Sequence, residues 1–221
     1  LGDTALILAD EVRERSLSAY ASQNRAVTRN DYISIVYRMP SKFGKVRKCN
    51  VIRDPDSLKR NLNLYVLAED VNGFLNEPSK TLKDNVKTWV NRYRMINDTI
   101  DVLNGKVVNL GINFKIITDL DSNRYEVLER CTEKLVDKFL NTTFDIGEAI
   151  YISEIYKLLN QVPGVIDTTD VELINKVGGV YGNYVYDIDQ NLSDDGRYLI
   201  IPNDTAAQIR VPGSDISGVV T

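Results

Sequence analysis

The chain contains no histidine and only two cysteines, Cys49 and Cys131, which lie far apart in the sequence. Histidine is the side chain that most often serves as a general base or a metal ligand, so its absence makes an enzyme a less favoured class. Catalysis by carboxylates or lysine stays open. The cysteine spacing fits no metal or redox motif, and we expect two buried free thiols in a reducing cytosol. No cofactor and no metal site are predicted.

Long apolar runs are missing as well. No apolar stretch approaches 18 residues, and the first residues lack the basic-then-apolar pattern of a signal peptide. We therefore expect neither a membrane span nor a leader. The sequence begins with Leu1 rather than methionine, and we expect it to be a piece of a longer protein. Its 221 residues, 43% of them hydrophobic, suffice for one large or two small domains.

Charge is distributed unevenly along the chain, although the net charge is only −4. Residues 1–60 carry 12 Lys and Arg against 7 Asp and Glu, whereas residues 141–221 carry 4 against 12. A basic front and an acidic rear suit a subunit whose two ends meet unlike surfaces on neighbours. Solvated faces without a partner would look the same. The candidate interface residues of charged type are Lys42, Lys45, Arg47, Lys48, Asp187 and Asp189.

Nucleic acid is not a predicted partner. The basic cluster includes Phe43, but a nucleic-acid groove requires more aromatic surface and a positive domain overall. A calcium site is not predicted either, although the segment that starts at Asp187 resembles the beginning of an EF-hand loop. Its sixth position is Leu192, where glycine is needed, and its twelfth is Tyr198, where a bidentate glutamate belongs.

Two segments of the chain share one pattern: a short amphipathic helix, a proline, a glycine turn and a β-branched strand. The first contains Pro40 and Gly44, and the second contains Pro163 and Gly164. A proline followed by a glycine ends a helix and redirects the chain. We predict an α+β fold in two lobes built on this duplicated unit, with small mixed or antiparallel sheets.

Apolar periodicity and turn residues predict the elements in more detail. One helix is expected at residues 3–21, a second after a capping box of Thr28 and Asp31, and a third from about residue 77. A fourth is expected at residues 123–140, with Ser122 as its cap and Tyr125 on its buried side. Strands are expected at residues 46–53, 62–66, 100–102, 108–116 and 164–174. Residues 54–56 are expected to form a turn, and Asn104-Gly105 a tight hairpin.

The last part of the chain is rich in tyrosine. Tyr181, Tyr184 and Tyr186 precede the turn Asp194-Asp195-Gly196, and we predict a C-terminal β hairpin there, followed by an arm from residue 203. Tyrosine supplies large, rigid contact area, so these three are candidate interface residues. A strand packed on its own core is an equally good explanation. The predicted domains are residues 1–24 (the end of a helical upstream region), 25–118 and 119–175 (the two lobes), and 176–221 (the tail).

Several of these motifs together resemble the baseplate J-like family over roughly residues 20–175. They are the stretch from Asn24 to Thr28 followed by Asp31-Tyr32, the strand from Leu62 to Leu67, and the segment from Ile146-Gly147-Glu148 to Pro163-Gly164-Val165. The tail, from Asp195-Gly196 to Asn203-Asp204, is similar to the longer wedge protein of contractile-tailed phages. Each motif is a packing signature, and the resemblance lies in their order and spacing.

The resemblance implies a virion structural protein of the tail baseplate, assembled in the host cytoplasm. Proteins of this kind self-associate through the C-terminal region as a homodimer, join wedges into a ring around the hub, and contact other wedge subunits. The resemblance carries over no catalytic residues. Two other classes stay open: a carboxylate-based cell-wall hydrolase, which needs two acids in one cleft, and a host receptor-binding module, suggested by the tyrosines. No membrane or small-molecule partner is predicted.

Overall fold

The computed structural model describes residues 25–54, 61–120, 122–141 and 144–221. The helix predicted at residues 3–21 and most of the turn predicted at 54–56 lie outside them. Within the described part the fold is mixed α+β, with six α-helices and three small sheets. The chain divides into two compact units, Leu1–Gly105 and Lys106–Thr221. The predicted domain organisation, with boundaries after residues 24, 118 and 175, stays a prediction.

In its described residues, the first unit has one four-stranded sheet with two α-helices. The helices are α1 (Arg29–Tyr37) and α2 (Lys80–Val90), with a 3-10 turn at Ser41–Phe43; the strands are β1 (Lys48–Arg53), β2 (Asn61–Glu69), β3 (Leu75–Asn76) and β4 (Thr99–Asn104). Strand β2 pairs antiparallel with β1 and β3 and parallel with β4. The core lies between the sheet and the helices, because the same apolar cluster contains residues of α1, α2, β1, β2 and β4.

Local sequence signals account for these elements. The predicted capping box at α1 is confirmed: Thr28 Oγ1 accepts a hydrogen bond from the Asp31 N–H at 3.2 Å, and Asp31 Oδ2 accepts one from the Thr28 N–H at 2.8 Å. The predicted alternation of β2 is confirmed by the burial of Leu64 and Val66. Helix α2 begins later than predicted, because Ser79 is its cap and accepts from the Leu82 N–H at 3.2 Å.

The hairpin predicted at Asn104-Gly105 is wrong. Strand β4, which ends at Asn104, pairs in parallel with β2 and not with the strand that follows Gly105. Gly105 has no left-handed φ, and its N–H donates to Val66 O at 2.9 Å. A Cβ at Gly105 would lie 2.8 Å from Leu67 Cγ, so close packing requires glycine here. The chain thus leaves one unit and enters the other at the point where the sequence indicates a tight turn.

The second unit is organised on one long strand. Its helices are α3 (Arg124–Asn141), α4 (Ile152–Leu159), α5 (Ile188–Asn191) and α6 (Pro212–Asp215); its strands are β5 (Lys106–Thr118), β6 (Ile150–Tyr151), β7 (Val165–Asn175), β8 (Tyr198–Leu199), β9 (Thr205–Gln208) and β10 (Ile216–Val220). Strand β5 pairs antiparallel with β7 and parallel with β9 and β10. Strands β6 and β8 form a separate antiparallel pair.

The buried face of β5 was predicted correctly. Its apolar side chains at alternate positions are at most 2% exposed: Val108, Leu110, Ile112, Phe114 and Ile116. They belong to one apolar cluster with residues of α3 and α4, including the buried free thiol of Cys131. Burial raises the pKa of the Cys131 thiol. Cys49 is also a buried free thiol, as predicted.

Two predictions about α3 are wrong. Tyr125 is 82% exposed, because it lies about 120° around the helix from the buried Cys131. The residue before the helix is Asn123, and its Oδ1 accepts a hydrogen bond from the Tyr125 N–H at 3.1 Å. Asn123 therefore caps the helix where Ser122 was predicted to do so.

The predicted tyrosine hairpin and C-terminal arm are also wrong. Tyr181 ends a 3-10 turn, and β8 pairs with β6 rather than with the tyrosine segment. The predicted turn at residues 194–196 is confirmed, because Leu192 and Leu199 form an antiparallel bridge across it. The predicted arm contains β9 and β10, both of which pair with β5. The alternation of a short strand shows which side is buried but does not identify the neighbouring strand, and a 13-residue strand such as β5 offers backbone groups for several partners.

Candidate interaction surfaces

The predicted basic cluster lies on the loop between α1 and β1 and on the start of β1. Lys42 and Lys45 are exposed, whereas Lys48 is only 8% exposed. Lys45 Nζ lies 3.8 Å and Arg47 Nε 3.9 Å from the same carboxylate oxygen, Glu69 Oε2. Exposed ion pairs of this kind contribute only about 0–1 kcal/mol. Glu69 compensates part of the positive charge of Lys45 and Arg47. Lys42 and Lys45 are the cluster's most accessible cations because their side chains are exposed.

The loop that carries Lys42 and Lys45 is held against α2. Asn85 Nδ2 on α2 donates to Phe43 O at 2.8 Å. Gly44 has a φ of 108°, and a Cβ there would lie 2.6 Å from Leu82 Cδ1. Lys42 Nζ lies 4.9 Å from the centre of the Phe43 ring, in a cation–π arrangement. The loop is therefore a fixed, basic projection with an aromatic side chain at its centre.

The three predicted interface tyrosines contact their own unit. Tyr186 is 7% exposed, burial raises its pKa, and its hydroxyl donates to Ile200 O. Tyr181 is half-buried, and Lys106 Nζ lies 5.5 Å from the centre of the half-buried Tyr184 ring. Tyr186 therefore packs on the core of its own unit, which is the second explanation that the sequence offers for these tyrosines. An interface role for the exposed parts of Tyr181 and Tyr184 stays a prediction.

Tyr181 makes a hydrogen bond to a buried acidic side chain. Its hydroxyl donates to Asp215 Oδ1 at 2.6 Å, and Asp215 Oδ2 accepts from the Val211 N–H at 2.8 Å. Asp215 is 1% exposed, so these bonds satisfy a buried carboxylate. The hydrogen bond to Asp215 raises the pKa of Tyr181 above its ordinary value of 10.0.

The predicted acidic residues lie at α5. Asp187 is its N-cap, and Asp187 Oδ1 accepts from the Gln190 N–H at 3.2 Å, while Asp189 in the first turn is exposed. A helix therefore occupies the segment that resembles an EF-hand start. Within the described ranges, no group of three or more His, Cys, Asp or Glu side chains is placed to hold a metal ion. In the same ranges, no helix is long and apolar enough to cross a membrane.

The first unit contains a cleft of about 390 Å³ beside the start of α1. Arg29 and Arg53 line it, and so does Asp98, which is 1% exposed and accepts a hydrogen bond from the Tyr32 hydroxyl at 2.7 Å. Asp98 is the only carboxylate among the described residues that line this cleft. A glycoside hydrolase needs two carboxyl groups on either side of the scissile bond. The lining residues that the structure describes do not supply that pair.

Sequence reasoning missed several exposed apolar side chains of the second unit. Tyr151 on β6 and Tyr198 on β8 lie side by side, with ring centres 5.9 Å apart, and are 52% and 36% exposed. Leu140 at the end of α3 is 62% exposed, and Val219 on β10 is 61% exposed. The signal for β10 was in the sequence, since Ile216–Val220 contains three β-branched residues and no charge. The predicted arm includes that segment.

No protein-family model and no curated protein matches the chain. Solved structures do match, and among them is a chain of the anti-feeding prophage (AFP) baseplate, determined by cryo-EM and 6-fold symmetrised. The fold is similar to that of this baseplate chain. The TM-score is 0.54 at 14% sequence identity, and the similarity covers 96% of the chain and 43% of the baseplate chain. The chain thus spans less than half the length of the chain that it matches. At this identity the comparison shows the fold alone.

Proposed function

We propose that this protein is a structural, non-enzymatic subunit of the baseplate of a contractile tail or a tail-like injection system. The observation that carries the proposal is the similarity to the AFP baseplate chain, which extends over 96% of the sequence and therefore over both units. The resemblance of the sequence motifs to the baseplate J-like family supports the same class. The motifs are local residue patterns and the similarity is one of backbone shape, so the two lines of support differ in kind.

Within the baseplate, the proposed position is the wedge. The protein forms a homodimer, contacts other wedge subunits and joins wedges into a ring around the hub. Neighbours around a ring can meet head to tail and then present different surfaces to each other. The exposed Lys42 and Lys45 of the first unit and the acidic residues 187–195 of the second supply unlike charges for such a contact. The proposed location is the tail baseplate of the virion or of a virion-like particle.

Co-purification tests the proposal. The chain is co-expressed with the other baseplate proteins of its tail system and captured by an affinity tag, and the mass of the complex is measured by light scattering. We expect stoichiometric binding to at least one other baseplate protein and a dimer of the chain alone. Capture of host envelope receptors instead would support a receptor-binding module. Loss of turbidity of purified peptidoglycan on addition of the chain would support a hydrolase.

A further inference from the structure

The two edges of the main sheet in the second unit differ in their protection. At β7, Tyr156 Oη accepts the Val171 N–H at 3.0 Å, and Asp167 Oδ1 accepts the Thr168 N–H at 2.8 Å. The pairing of β7 with β5 also contains two register shifts, and Asp167, Asp170 and Glu172 place negative charge along the strand. Capped N–H groups, bulges and charges are the devices that prevent pairing with another chain. The β7 edge is protected.

The β10 edge has a capped N–H only at its first residue, Ile216. Strand β10 contains no charged residue and no proline, and it pairs with β5 without a register shift. The Thr221 N–H donates to Ile116 O at 2.9 Å, and along a parallel pair alternate residues turn their backbone groups to opposite sides. The C=O group of Ile216 and the N–H and C=O groups of Gly218 and Val220 therefore point away from β5. The Ile216 N–H donates to Pro212 O on α6. No strand of the described part of the chain pairs with that side.

Helix α3 adds an apolar border to the β10 edge. A Cβ on Gly218 would lie 2.8 Å from Leu128 Cδ1, so the Leu128 side of α3 lies over β10. On the other side of the helix, Val127 packs against Gly164, the residue before β7. A Cβ on Gly164 would lie 2.8 Å from Val127 Cγ2. The side of α3 over β10 carries the apolar or uncharged residues Tyr125, Leu128, Thr132 and Val136, with the charged Glu129 at its border. The opposite side carries the charged residues Arg130, Lys134 and Asp137.

We propose that the β10 edge, with the adjacent side of α3, is the surface on which a second copy of the chain docks. The two β10 strands pair antiparallel about a two-fold axis at Gly218, and the two sheets become one. The inference deepens the self-association in the proposed function and rests on it. An uncharged strand is compatible with its own copy, because a two-fold axis at Gly218 places Ser217 opposite the partner's Val219 and no like charges meet.

The expected size of a dimer interface supports the inclusion of α3. Stable interfaces bury about 1,200–2,000 Å² in total, which is more than one pair of five-residue strands can supply. Tyr125 is 82% exposed and half-buried Leu128 lies beside it, so α3 provides the remaining apolar area next to the strand. Tyrosine is enriched in the buried centres of such interfaces.

Charge variants of β10 test both the surface and the register. One double variant carries Ser217→Lys and Val219→Lys, and a second carries Ser217→Glu and Val219→Glu. Both side chains are exposed in the single chain, with Val219 61% exposed. In the proposed register, residue 217 of one copy lies opposite residue 219 of the other, so each double variant places two pairs of like charges across the interface. We expect each double variant by itself to dimerise roughly ten-fold more weakly than the wild-type chain. An equimolar mixture opposes Lys to Glu and is expected to regain the dimer.

The matched control is Glu172→Lys on the protected β7 edge. Glu172 and Ser217 are the two cross-strand neighbours of Asn113, and the control changes the net charge as much as the double lysine variant does. We expect the control to dimerise normally in sedimentation and light-scattering measurements. Tyr125→Lys, on α3, is expected to weaken the dimer as well. Because it lies outside the strand, it tests the proposal even if a β10 variant lowers the melting temperature of the chain.

Each outcome decides between occupants of the edge. Dimers that persist in both strand variants and in Tyr125→Lys overturn the proposal but leave the structural role intact. Strand variants that lose a different baseplate protein, while the dimer is unchanged, also overturn it and identify a heterologous strand as the occupant. A wild-type chain that is monomeric but still binds other baseplate proteins rejects self-association alone. A chain that binds neither its copy nor those proteins rejects the proposed function.

Discussion

At the scale of single residues, the Tyr181–Asp215 pair shows how the C-terminal segment is attached to its unit. Tyr181 belongs to a 3-10 turn and Asp215 to α6, so their 2.6 Å hydrogen bond joins segments 34 residues apart. Asp215 is 1% exposed, and removal of a hydrogen-bond donor from a buried carboxylate destabilises the folded protein. The pair therefore contributes to the stability of the region that leads into β10.

We expect Tyr181→Phe to lower the free energy of unfolding by about 1.5–3 kcal/mol at neutral pH, the range for a hydrogen bond to a charged group. Because the pKa of Tyr181 is raised in the folded state, this contribution is complete below the ordinary value of 10.0. It is lost as the pH rises through the raised pKa. Urea unfolding of both proteins over a series of pH values measures the difference.

The control for this prediction is Tyr125→Phe, which removes a hydroxyl from a ring that is 82% exposed. The difference between this variant and the wild-type protein should be small at every pH. A wild-type to Tyr181→Phe difference that stays constant above pH 10.0 would contradict the assigned contact.

At the scale of elements, α1 depends on its capping box. Burial acts to raise the pKa of Asp31, but the hydrogen bonds from the Thr28 and Val27 N–H groups lower it overall. The carboxylate form is thus the one that caps the helix. Its stabilisation is present above the ordinary pKa of 3.8 and is lost as the pH falls through the lowered pKa.

We expect Thr28→Ala to destabilise the first unit by about 1 kcal/mol, because the Asp31 N–H loses its acceptor. Trp89 is the only tryptophan of the chain, and its Nε1 donates to Ile35 O on α1 at 2.8 Å. Its fluorescence during denaturation therefore reports the unit that contains the cap. The matched control is Thr88→Ala at an exposed position in the last turn of α2, where alanine is the better helix former. A loss of equal size in both variants would argue against the cap.

At the scale of the whole molecule, the basic front and acidic rear predict a salt-sensitive contact between ring neighbours. We expect Lys42→Glu with Lys45→Glu to weaken wedge-to-wedge assembly at low salt. The dimer mass should stay unchanged, because neither residue belongs to the β10 edge. Lys48 is excluded because it is only 8% exposed. Exposed pairs contribute about 0–1 kcal/mol each and are screened over roughly 10 Å at 0.1 M salt.

Assembly of purified wedges at several salt concentrations, followed by sedimentation, measures this effect. The control carries Arg130→Glu and Lys157→Glu, two exposed positions of the second unit with the same change in net charge. Normal assembly of the Lys42 and Lys45 variant at low salt would mean that the charge gradient is a solvated surface.

The sequence by itself determined the local features: the Thr28–Asp31 cap, the alternation of β2 and β5, and the turn at Gly164, whose φ is 94°. Each depends on residues close in the chain, whose propensities and periodicity are readable. For the candidate surfaces, the sequence correctly indicated the exposed lysines at 42 and 45.

Only the tertiary structure decided which strands are neighbours. Strand β4 pairs with β2 across the chain instead of turning back at Gly105, and β9 and β10 return to β5. It also buried Lys48 and Tyr186 and left Tyr125 exposed. The backbone hydrogen bonds that join strands are the same for every residue except proline, so a strand's sequence does not name its partner. The β10 edge, on which the dimer proposal depends, exists only because of that pairing.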